Sequence, residues 1–408
     1  MEQIITFVEN GGVTTPKGFK AAGVYCGIRK NKEKKDLALI YAEKRCNAAA
    51  VYTKNLVKGA PLYVTMANLT DGMAQAVICN SGNANTCNAD GEEKANEVCT
   101  FLGKALNISR DDIIIASTGV IGQPINNTAI LNGIPALINN LSNNGTDAAT
   151  AIMTTDLKVK EVAVSFEIEG KKVFLGGMAK GSGMINPNMA TMLGFLTTDA
   201  DISSEMLKAA LTESVEETFN MISVDGDTST NDMVSVMASG LAGNVKITEK
   251  NDNYYIFLEA LNILNTCLSA KIAKDGEGAT KLIKCKVENA KNREIARKVS
   301  LTVISSSLVK AAMFGEDANW GRVLCAIGYS GCDVDIKKID VDFISENGTV
   351  SVCKNGAGVE FSEEIAKKVL SVDEIIIAVN LKDGSSVATA YGCDLTYDYV
   401  RINGDYRT

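Results

Sequence analysis

The sequence predicts a mixed α/β protein, either α+β or built from layers of helices and sheets, rather than a doubly wound parallel sheet. Residues 162–175 alternate apolar and polar side chains around Glu169-Gly170, which predicts a β-hairpin leading to Lys180. Between 207 and 219 every fourth residue is apolar, which predicts a helix over 204–221 capped by a preceding serine. Strand and helix patterns like these alternate irregularly along the chain, which favours a layered architecture.

The last quarter of the chain has a different pattern and predicts a second domain. Alternating residues on either side of Asn347-Gly348 and of Asp383-Gly384 predict two further hairpins. A charged stretch over 284–298 precedes this region, and the segment 299–312 after it has a helical pattern. We therefore expect a first domain over 1–283 and a C-terminal α+β domain over 284–408.

The charge composition of the chain indicates which classes of binding partner to expect. The 408 residues carry a formal net charge of −8, with 41 Lys and Arg against 49 Asp and Glu. Nucleic acids and anionic membranes require concentrated positive charge, so neither is expected as a partner. A small anionic substrate is compatible with this composition, because one local lysine is enough to bind a carboxylate.

Compartment and cofactors follow from a few further features. The start has no basic region typical of a signal peptide, and no apolar stretch is expected to reach the length of a membrane span. Eleven cysteines without a Cys-x-x-Cys pair, and no histidine, indicate reduced thiols in the cytoplasm and no zinc site. Neither the GxGxxG pattern nor a GxxxxGK[ST] loop is present, so nucleotide binding has no support.

The stretch AKGSGMINPNMATML, residues 179–193, poses the main chemical question, because Thr191 has no histidine to activate it. A free α-amine has a pKa of roughly 7.7–8 and is a good general base, but it serves a threonine only at an N-terminus. Cleavage of the chain before Thr191 would supply that amine. Spacing alone favours the alternative, a glycine-rich turn that leads into a buried strand, and both interpretations stay open at this point.

The same stretch resembles the cleavage and nucleophile motif of the ornithine acetyltransferase family, the glutamate N-acetyltransferases of arginine biosynthesis. The resemblance extends over essentially the whole chain, through eight further segments in the family's order. They are GGVTTPKGFKAAGVYCGI (11–28), NSGNAN (80–85), STGVIG (117–122), MTTD (153–156), SVDGDTSTND (223–232), DGEGATK (275–281), GEDANWGR (315–322) and INGDYRT (402–408).

The resemblance implies an activity, an assembly and a fold. The chain would cleave itself between Ala190 and Thr191 into an α chain, 1–190, and a β chain, 191–408. Together they would transfer the acetyl group from N2-acetylornithine to glutamate, without a metal or other cofactor, and acetyl-CoA is a further candidate donor. The expected assembly is an α2β2 heterotetramer. The expected fold is an α/β/β/α sandwich like that of self-cleaving aminopeptidases, plus the smaller C-terminal domain.

The resemblance also assigns roles to individual residues. Thr191 would be the nucleophile, and Thr118 with Gly119, directly after the apolar run 113–115, would form the oxyanion hole. Lys180 would bind the α-carboxylate that ornithine and glutamate share, and Glu277 the side-chain ammonium of ornithine. The substrate-binding residues it assigns are Thr154, Lys180, Thr191, Glu277, Asn403 and Thr408, with Thr155 as a second candidate beside Thr154. The family often continues the motif at 153–156 with threonine, where this chain has Leu157.

Each of these residues also has an ordinary structural interpretation. Thr118 and Gly119 fit a tight turn at the end of a strand, Lys180 a surface lysine, and Glu277 an exposed acidic loop. Two other functions stay open as well. One is a hydrolase or aminopeptidase on the same self-cleaving scaffold, with water as the acceptor. The other is an uncleaved protein that binds acidic metabolites.

Overall fold

The computed structural model describes residues 4–186 and 192–405. Within these ranges the chain forms a nine-stranded and a seven-stranded sheet. The strands are β1 (Thr6–Phe7), β2 (Phe19–Val24), β3 (Leu37–Tyr52), β4 (Met73–Asn83), β5 (Ile113–Val120), β6 (Lys160–Ile168), β7 (Lys171–Lys180), β8 (Leu193–Thr198), β9 (Ile222–Ser223), β10 (Met233–Ala238), β11 (Leu282–Ala290), β12 (Asp340–Ser345), β13 (Gly348–Lys354), β14 (Ala357–Gly358), β15 (Glu374–Asn380) and β16 (Ser386–Cys393).

Helices cover both sheets. They are α1 (Ala60–Asn68), α2 (Gly91–Leu106), α3 (Asn127–Asn139), α4 (Thr146–Ala151), α5 (Ser204–Glu217), α6 (Asp252–Lys274), α7 (Arg293–Ser305), α8 (Ser307–Phe314), α9 (Trp320–Gly328), α10 (Glu363–Leu370) and α11 (Tyr397–Gly404). The mixed α/β class predicted from the sequence is confirmed.

The larger sheet folds across itself into two halves that face each other. Its strand order is β1-β6-β7-β8-β10-β3-β4-β5, with β2 beside β3. One buried cluster joins Phe195 of β8 and Met237 of β10 to Ile40 of β3 and Ile114 of β5, so it lies between the halves. Two other clusters pack α5 and α6 on the outside of one half, and α2 and α3 on the outside of the other. This helix–sheet–sheet–helix order is the α/β/β/α sandwich that the resemblance implied.

The first predicted hairpin is confirmed and places the candidate site. Strands β6 and β7 pair in antiparallel register from Ile168 opposite Lys171 to Lys160 opposite Ala179. Inward-facing side chains such as Val164 and Leu175 are fully buried, which fixes the register because a one-residue slip would expose them. The hairpin therefore places Lys180 at the C-terminal end of β7.

The smaller sheet has the order β14-β13-β12-β15-β11-β16-β9. The hairpin predicted around Asn347-Gly348 is confirmed, because β12 pairs antiparallel with β13. The hairpin predicted around Asp383-Gly384 is wrong. Strands β15 and β16 flank that turn but do not pair with each other, since β11 lies between them, parallel to β15 and antiparallel to β16. The domain boundary at 283/284 stays a prediction.

Two helix predictions are largely confirmed. The predicted helix over 204–221 is α5 followed by a short 3-10 turn over 219–221, with Ser203 as its N-cap. The segment 299–312 is helical but belongs to two helices, α7 and α8, separated at Ser306.

The expectation that no stretch reaches the length of a membrane span is wrong for α6. Among the helices of the described ranges, this one of 23 residues is long and apolar enough to cross a bilayer by length and composition. Half of its most apolar window is buried, however, and Tyr254, Phe257 and Leu261 lie in the core against α5 and the larger sheet. Its packing is that of a core helix.

Candidate functional site

The candidate site lies where β5 and β7 end and β8 begins. Strand β5 runs parallel to β4, with Ser81 opposite Thr118 and Gly82 opposite Gly119. Gly119 has a φ of +133°, and a Cβ there would lie 2.3 Å from the carbonyl carbon of Gly82. Only glycine fits this close approach of two backbones. The end of β5 therefore brings Thr118 and a glycine backbone to one edge of the sheet, as the oxyanion-hole prediction requires.

Lys180 and Thr118, both predicted site residues, are in direct contact. The Lys180 Nζ donates a hydrogen bond to the Thr118 Oγ1 at 3.2 Å. The two side chains are 8% and 9% exposed, respectively, so Lys180 is not the surface lysine of the ordinary interpretation. Burial lowers the pKa of Lys180, while the nearby Asp156 carboxylate opposes that change. The pair is a buried cation beside a hydroxyl.

A buried network of charges fixes the backbone next to Lys180. The Asp156 Oδ1 accepts hydrogen bonds from the Lys160 Nζ and from the Gly181 amide, both at 2.7 Å. The Lys160 Nζ also donates to Asp275 Oδ2 at 2.6 Å. Burial raises the pKa of Asp156, but the Lys180 and Lys160 ammonium groups and the hydrogen bonds outweigh it and bring the value to about 2.

Sequence reasoning missed this network. Asp156 and Asp275 do belong to motifs of the family, the MTTD and DGEGATK segments, so the motifs themselves were a usable signal. Lys160 has no such signal, because it lies in the predicted hairpin strand and is only 1% exposed.

Glu277 and Asn403 also meet, although they are distant in the chain. The Glu277 Oε2 accepts a hydrogen bond from Asn403 Nδ2 at 2.8 Å, and its Oε1 accepts one from the Thr155 hydroxyl at 2.7 Å. The Glu277 amide donates to the Ser182 carbonyl at 2.8 Å, which ties it to the loop after Lys180. Glu277 is 9% exposed, and it forms no ion pair with a lysine or arginine in the described ranges. It is therefore a buried carboxylate held by neutral donors.

The two threonines of the MTTD segment take different places. The Thr154 amide donates to Asp156 Oδ2 at 2.9 Å, so its backbone joins the charge network. Thr155, the second candidate, is the one whose hydroxyl contacts Glu277, and it also shares a hydrogen bond of 2.7 Å with Ser182.

Both sides of the predicted cleavage point are anchored. The amides of Met184 and Ile185 donate to the Asp225 carboxylate at 2.5 and 2.8 Å, so the acidic loop of Asp225 is a structural support. On the other side, the Met192 carbonyl accepts from the Met233 amide at 3.1 Å. Three predicted residues, Ala190, Thr191 and Thr408, lie outside the described residues.

The asparagine-rich segments hydrogen-bond to the end of β5 and to the segment that follows β4. The Asn231 Nδ2 donates to the carbonyls of Ala84 and Ser117, at 2.7 and 2.9 Å. The Ser117 hydroxyl donates to Asn80 Oδ1 at 2.6 Å. The NSGNAN and SVDGDTSTND motifs therefore hold the residue that precedes Thr118, a role that the sequence did not suggest.

Residues 4–186 and 192–405 contain no cluster of three or more Cys, Asp or Glu residues that fits a metal ion. All eleven cysteines are free thiols. The chemistry available at this edge of the sheet is thus that of hydroxyls, backbone amides, two buried lysines and several carboxylates. Such a set suits acyl transfer, where a developing oxyanion needs donors and a charged substrate needs counter-charges.

Comparison with known proteins decides the family. The model of the ArgJ family matches residues 20–408. The chain belongs to the ArgJ family. It is 50% identical over 401 residues to the arginine biosynthesis bifunctional protein ArgJ of Caldanaerobacter subterraneus subsp. tengcongensis, covering 98% of this chain and 99% of that protein. The protein of the same name from Thermotoga neapolitana is 47% identical over 396 residues, covering 96% and 99%.

A solved ArgJ structure shares the fold. The crystal structure of the arginine biosynthesis bifunctional protein ArgJ from Bacillus halodurans is 49% identical, with a TM-score of 0.51. It covers 53% of this chain and 100% of the solved chain. The family resemblance drawn from the motifs is confirmed. The individual roles of Thr118, Gly119, Thr154, Lys180, Glu277 and Asn403 in this ArgJ-family chain stay predictions.

Proposed function

We propose that this protein transfers the acetyl group of N2-acetylornithine to glutamate, with Thr191 as the nucleophile that carries the acetyl group between them. The buried Lys180–Thr118 contact, with Glu277 tied to the loop that follows Lys180, is the observation that carries this assignment. It combines a cation for an α-carboxylate, a donor for an oxyanion and an acidic group for an ammonium. Membership of the ArgJ family, whose named relatives act in arginine biosynthesis, supports the same conclusion.

Self-cleavage is the first step of the proposal. The Thr191 hydroxyl attacks the Ala190 carbonyl, the peptide C–N bond breaks as the ester C–O bond forms, and water then hydrolyses the ester. The products are the α chain 1–190 and the β chain 191–408, the latter with a free threonine amine. The β chain would make up 218 of the 408 residues, which is the same 53% share that the solved Bacillus halodurans chain covers.

Acetyl transfer then proceeds in two half-reactions at one site. The Thr191 hydroxyl attacks the acetyl carbonyl, and its proton passes to the Thr191 α-amine, whose ordinary pKa is roughly 7.7–8. The Thr118 hydroxyl and the Gly119 amide stabilise the oxyanion. The amide C–N bond breaks, and the amine returns the proton to the departing ornithine. The glutamate amine then attacks the acetyl-threonine ester, the ester C–O bond breaks, and the Thr191 oxygen regains its proton. Two successive half-reactions at one site give ping-pong kinetics.

Substrate recognition uses the charges described above. Lys180 binds the carboxylate adjacent to the reacting nitrogen in both substrates. Glu277, which has hydrogen-bond donors around it but no cationic partner in the described ranges, binds the side-chain ammonium of N2-acetylornithine. Thr154, Asn403 and Thr408 complete the set of proposed substrate contacts.

A second activity is the synthesis of N-acetylglutamate from acetyl-CoA and glutamate. The relatives' name, bifunctional, favours it. In that reaction acetyl-CoA would acetylate Thr191 and the same glutamate half-reaction would follow. Acetyl-CoA would be a substrate, and no metal or bound cofactor takes part. The proposed assembly is an α2β2 heterotetramer in the cytoplasm.

The test is ornithine release from N2-acetylornithine by the purified protein, with and without glutamate, and with acetyl-CoA as donor in a parallel series. Transfer predicts release that depends on glutamate. Release that ignores glutamate would make the protein a hydrolase. A single uncut chain whose ligand binding is unchanged in Thr191→Ala would instead support the binding-protein alternative.

A further inference from the structure

Asp232 is a buried carboxylate that the chemistry described above leaves unused. It is 3% exposed, and its Oδ2 is fully enclosed, with no hydrogen-bond partner among residues 4–186 and 192–405. An enclosed carboxylate oxygen without a partner is costly, and such groups are uncommon in native proteins. The other buried carboxylates of the site, Asp156 and Glu277, have both of their oxygens satisfied. Among these three carboxylates, Asp232 is therefore the one with an oxygen that can still accept a hydrogen bond.

The strand register shows where this oxygen lies. Strands β8 and β10 are parallel, with Leu193 opposite Met233, so Asp232 lies at the level of Met192. The Met233 amide donates to the Met192 carbonyl at 3.1 Å, which holds the two strands in this register. Hydrogen bonding from the Met192 amide also favours the ionised form of Asp232 and so lowers its pKa. Asp232 thus lies level with Met192, the residue that directly follows Thr191.

The charges around Asp232 leave room for one more cation. Lys180, from β7, lowers the pKa of Asp232 through its positive charge. It is shared, because Asp156, Lys160 and Cys79 also act on Lys180. Burial raises the pKa of Asp232 well above its ordinary value in spite of Lys180 and the hydrogen bonds. The ionised form of Asp232 is therefore disfavoured in the uncut chain, and a further cation next to it would favour that form.

We infer that Asp232 is a positioning residue for the catalytic amine, and that its Oδ2 accepts a hydrogen bond from the α-ammonium group that chain cleavage creates on Thr191. This inference rests on the proposed function. The Met192 amide would hold the carboxylate in place while the second oxygen orients the amine. During acylation the Thr191 hydroxyl proton moves to the amine, and the resulting ammonium is the species that Asp232 stabilises. The proton then leaves with ornithine, and Asp232 itself neither gains nor loses one.

The sign of the effect on the amine follows from electrostatics. A carboxylate next to an ammonium favours the charged form and raises the pKa of the amine, by about 1–3 units for a close pair. Replacing the carboxylate by a neutral amide removes this effect. The amine of Asp232→Asn should therefore lose its proton at lower pH than the amine of the unchanged protein.

The experiment measures the pKa of the Thr191 amine directly. Purified protein is labelled briefly with isotopic acetic anhydride over a range of pH, and peptide mapping gives the labelling rate of the β-chain N-terminus. In Asp232→Asn, the pH dependence should move down by about one unit, so that labelling below the pKa is about tenfold faster. The acidic limb of the kcat/KM profile for N2-acetylornithine should move in the same direction.

The matched control is Asp199→Asn. Asp199 is also fully buried, burial also raises its pKa, and it also accepts backbone amides, from Phe174 at 2.8 Å and Lys17 at 3.3 Å. It should leave the amine's pKa unchanged. Asp232→Glu keeps the charge and should return the pH dependence toward that of the unchanged protein. Asp232→Ser is a second uncharged variant should the amide variant fail to fold.

An Asp232→Asn protein whose amine titrates as in the unchanged protein would overturn the inference, even if activity were lost. An Asp232→Asn chain that folds but stays uncut would overturn it too, because Asp232 would then act in cleavage rather than on the product amine. The labelling needs no turnover. A cleaved protein that releases no ornithine would thus contradict the proposed function, while the amine pKa still decides the role of Asp232.

Discussion

Lys180 and Thr118 meet through a hydrogen bond of 3.2 Å between Nζ and Oγ1, although they are 62 positions apart in the chain. One ends β7 and the other lies near the end of β5, in opposite halves of the folded sheet. Their contact places a buried cation next to the proposed oxyanion donor. The substrate carboxylate and the reacting carbonyl of an N-acetylated α-amino acid are separated by only a few bonds, so neighbouring groups of this kind can bind both.

Thr118→Val should lower kcat by about 100-fold, since removal of one oxyanion donor typically has an effect of this order. KM for N2-acetylornithine should change little, because the hydroxyl acts mainly on the charge that develops during the reaction. Steady-state kinetics of ornithine release measure both constants. Thr197→Val is the control, since that buried hydroxyl donates instead to the Val13 carbonyl. Equal losses in the two variants would contradict the role of Thr118.

Glu277→Gln should weaken binding of N2-acetylornithine more than binding of glutamate. Only the former has a side-chain ammonium, and loss of one partner of a buried charge pair costs about 2–5 kcal/mol. KM values for the two substrates, measured separately, test this difference. Glu316→Gln is the control, because Glu316 pairs with Lys281 rather than facing the site. A similar rise in both KM values would count against the proposed contact.

Gly183→Ala should also weaken the binding of N2-acetylornithine, without changing any charge. A Cβ on Gly183 would lie 2.3 Å from the Glu277 carboxyl carbon, so the carboxylate must move. The expected result is a raised KM for N2-acetylornithine with unchanged thermal stability of the sheet core. Gly328→Ala is the control, since no atom lies within 4 Å of the added methyl group there. An unchanged KM in Gly183→Ala would show that the position of Glu277 is not critical.

Lys160→Met should destabilise the protein by about 3–5 kcal/mol near neutral pH, because it leaves Asp156 and Asp275 buried without their shared cation. Chemical denaturation measures the change in the free energy of unfolding. Lys354→Met is the control, since its pairs with Asp340 and Asp342 are more exposed and are expected to contribute about 0–1 kcal/mol.

The same network predicts a dependence of stability on pH. The pKa of Asp156 falls from 3.8 to about 2 on folding, so its ionised form stabilises the native state. This contribution is fully present above the unfolded pKa of 3.8 and is lost as the pH falls through about 2. Without Lys160 the pKa of Asp156 should rise, so the loss should begin at higher pH. The free energy of unfolding is measured between pH 5 and pH 2 for Lys160→Met and for the unchanged protein. A pH dependence of the same shape in both proteins would contradict this account.

Local sequence patterns predicted the elements of the fold better than their pairing. The β6–β7 hairpin follows from the alternation around Glu169-Gly170, because a short turn joins strands that are neighbours in space. The same reasoning failed at Asp383-Gly384, where β11 enters between β15 and β16 from almost a hundred positions away. A turn signal shows that the chain reverses, but it does not show which strand fills the gap.

The residues of the candidate site were likewise only partly predictable from the sequence. Motifs identified Thr118, Lys180, Glu277 and Asn403, and the structure joins them in two pairs, Lys180 with Thr118 and Asn403 with Glu277. The Lys160 network and the supporting Asn231 were missed, because burial of a polar side chain is a property of the folded protein that composition does not reveal.

The most direct measurement of the central claim is the mass of the β chain after the purified protein is mixed with N2-acetylornithine and quenched, with no glutamate present. The account predicts two chains, and a β chain that begins at Thr191 and gains one acetyl group on the threonine oxygen, a gain that disappears when glutamate is added. A cleaved β chain that stays unmodified while ornithine is released, or an uncut chain that remains active, would contradict it.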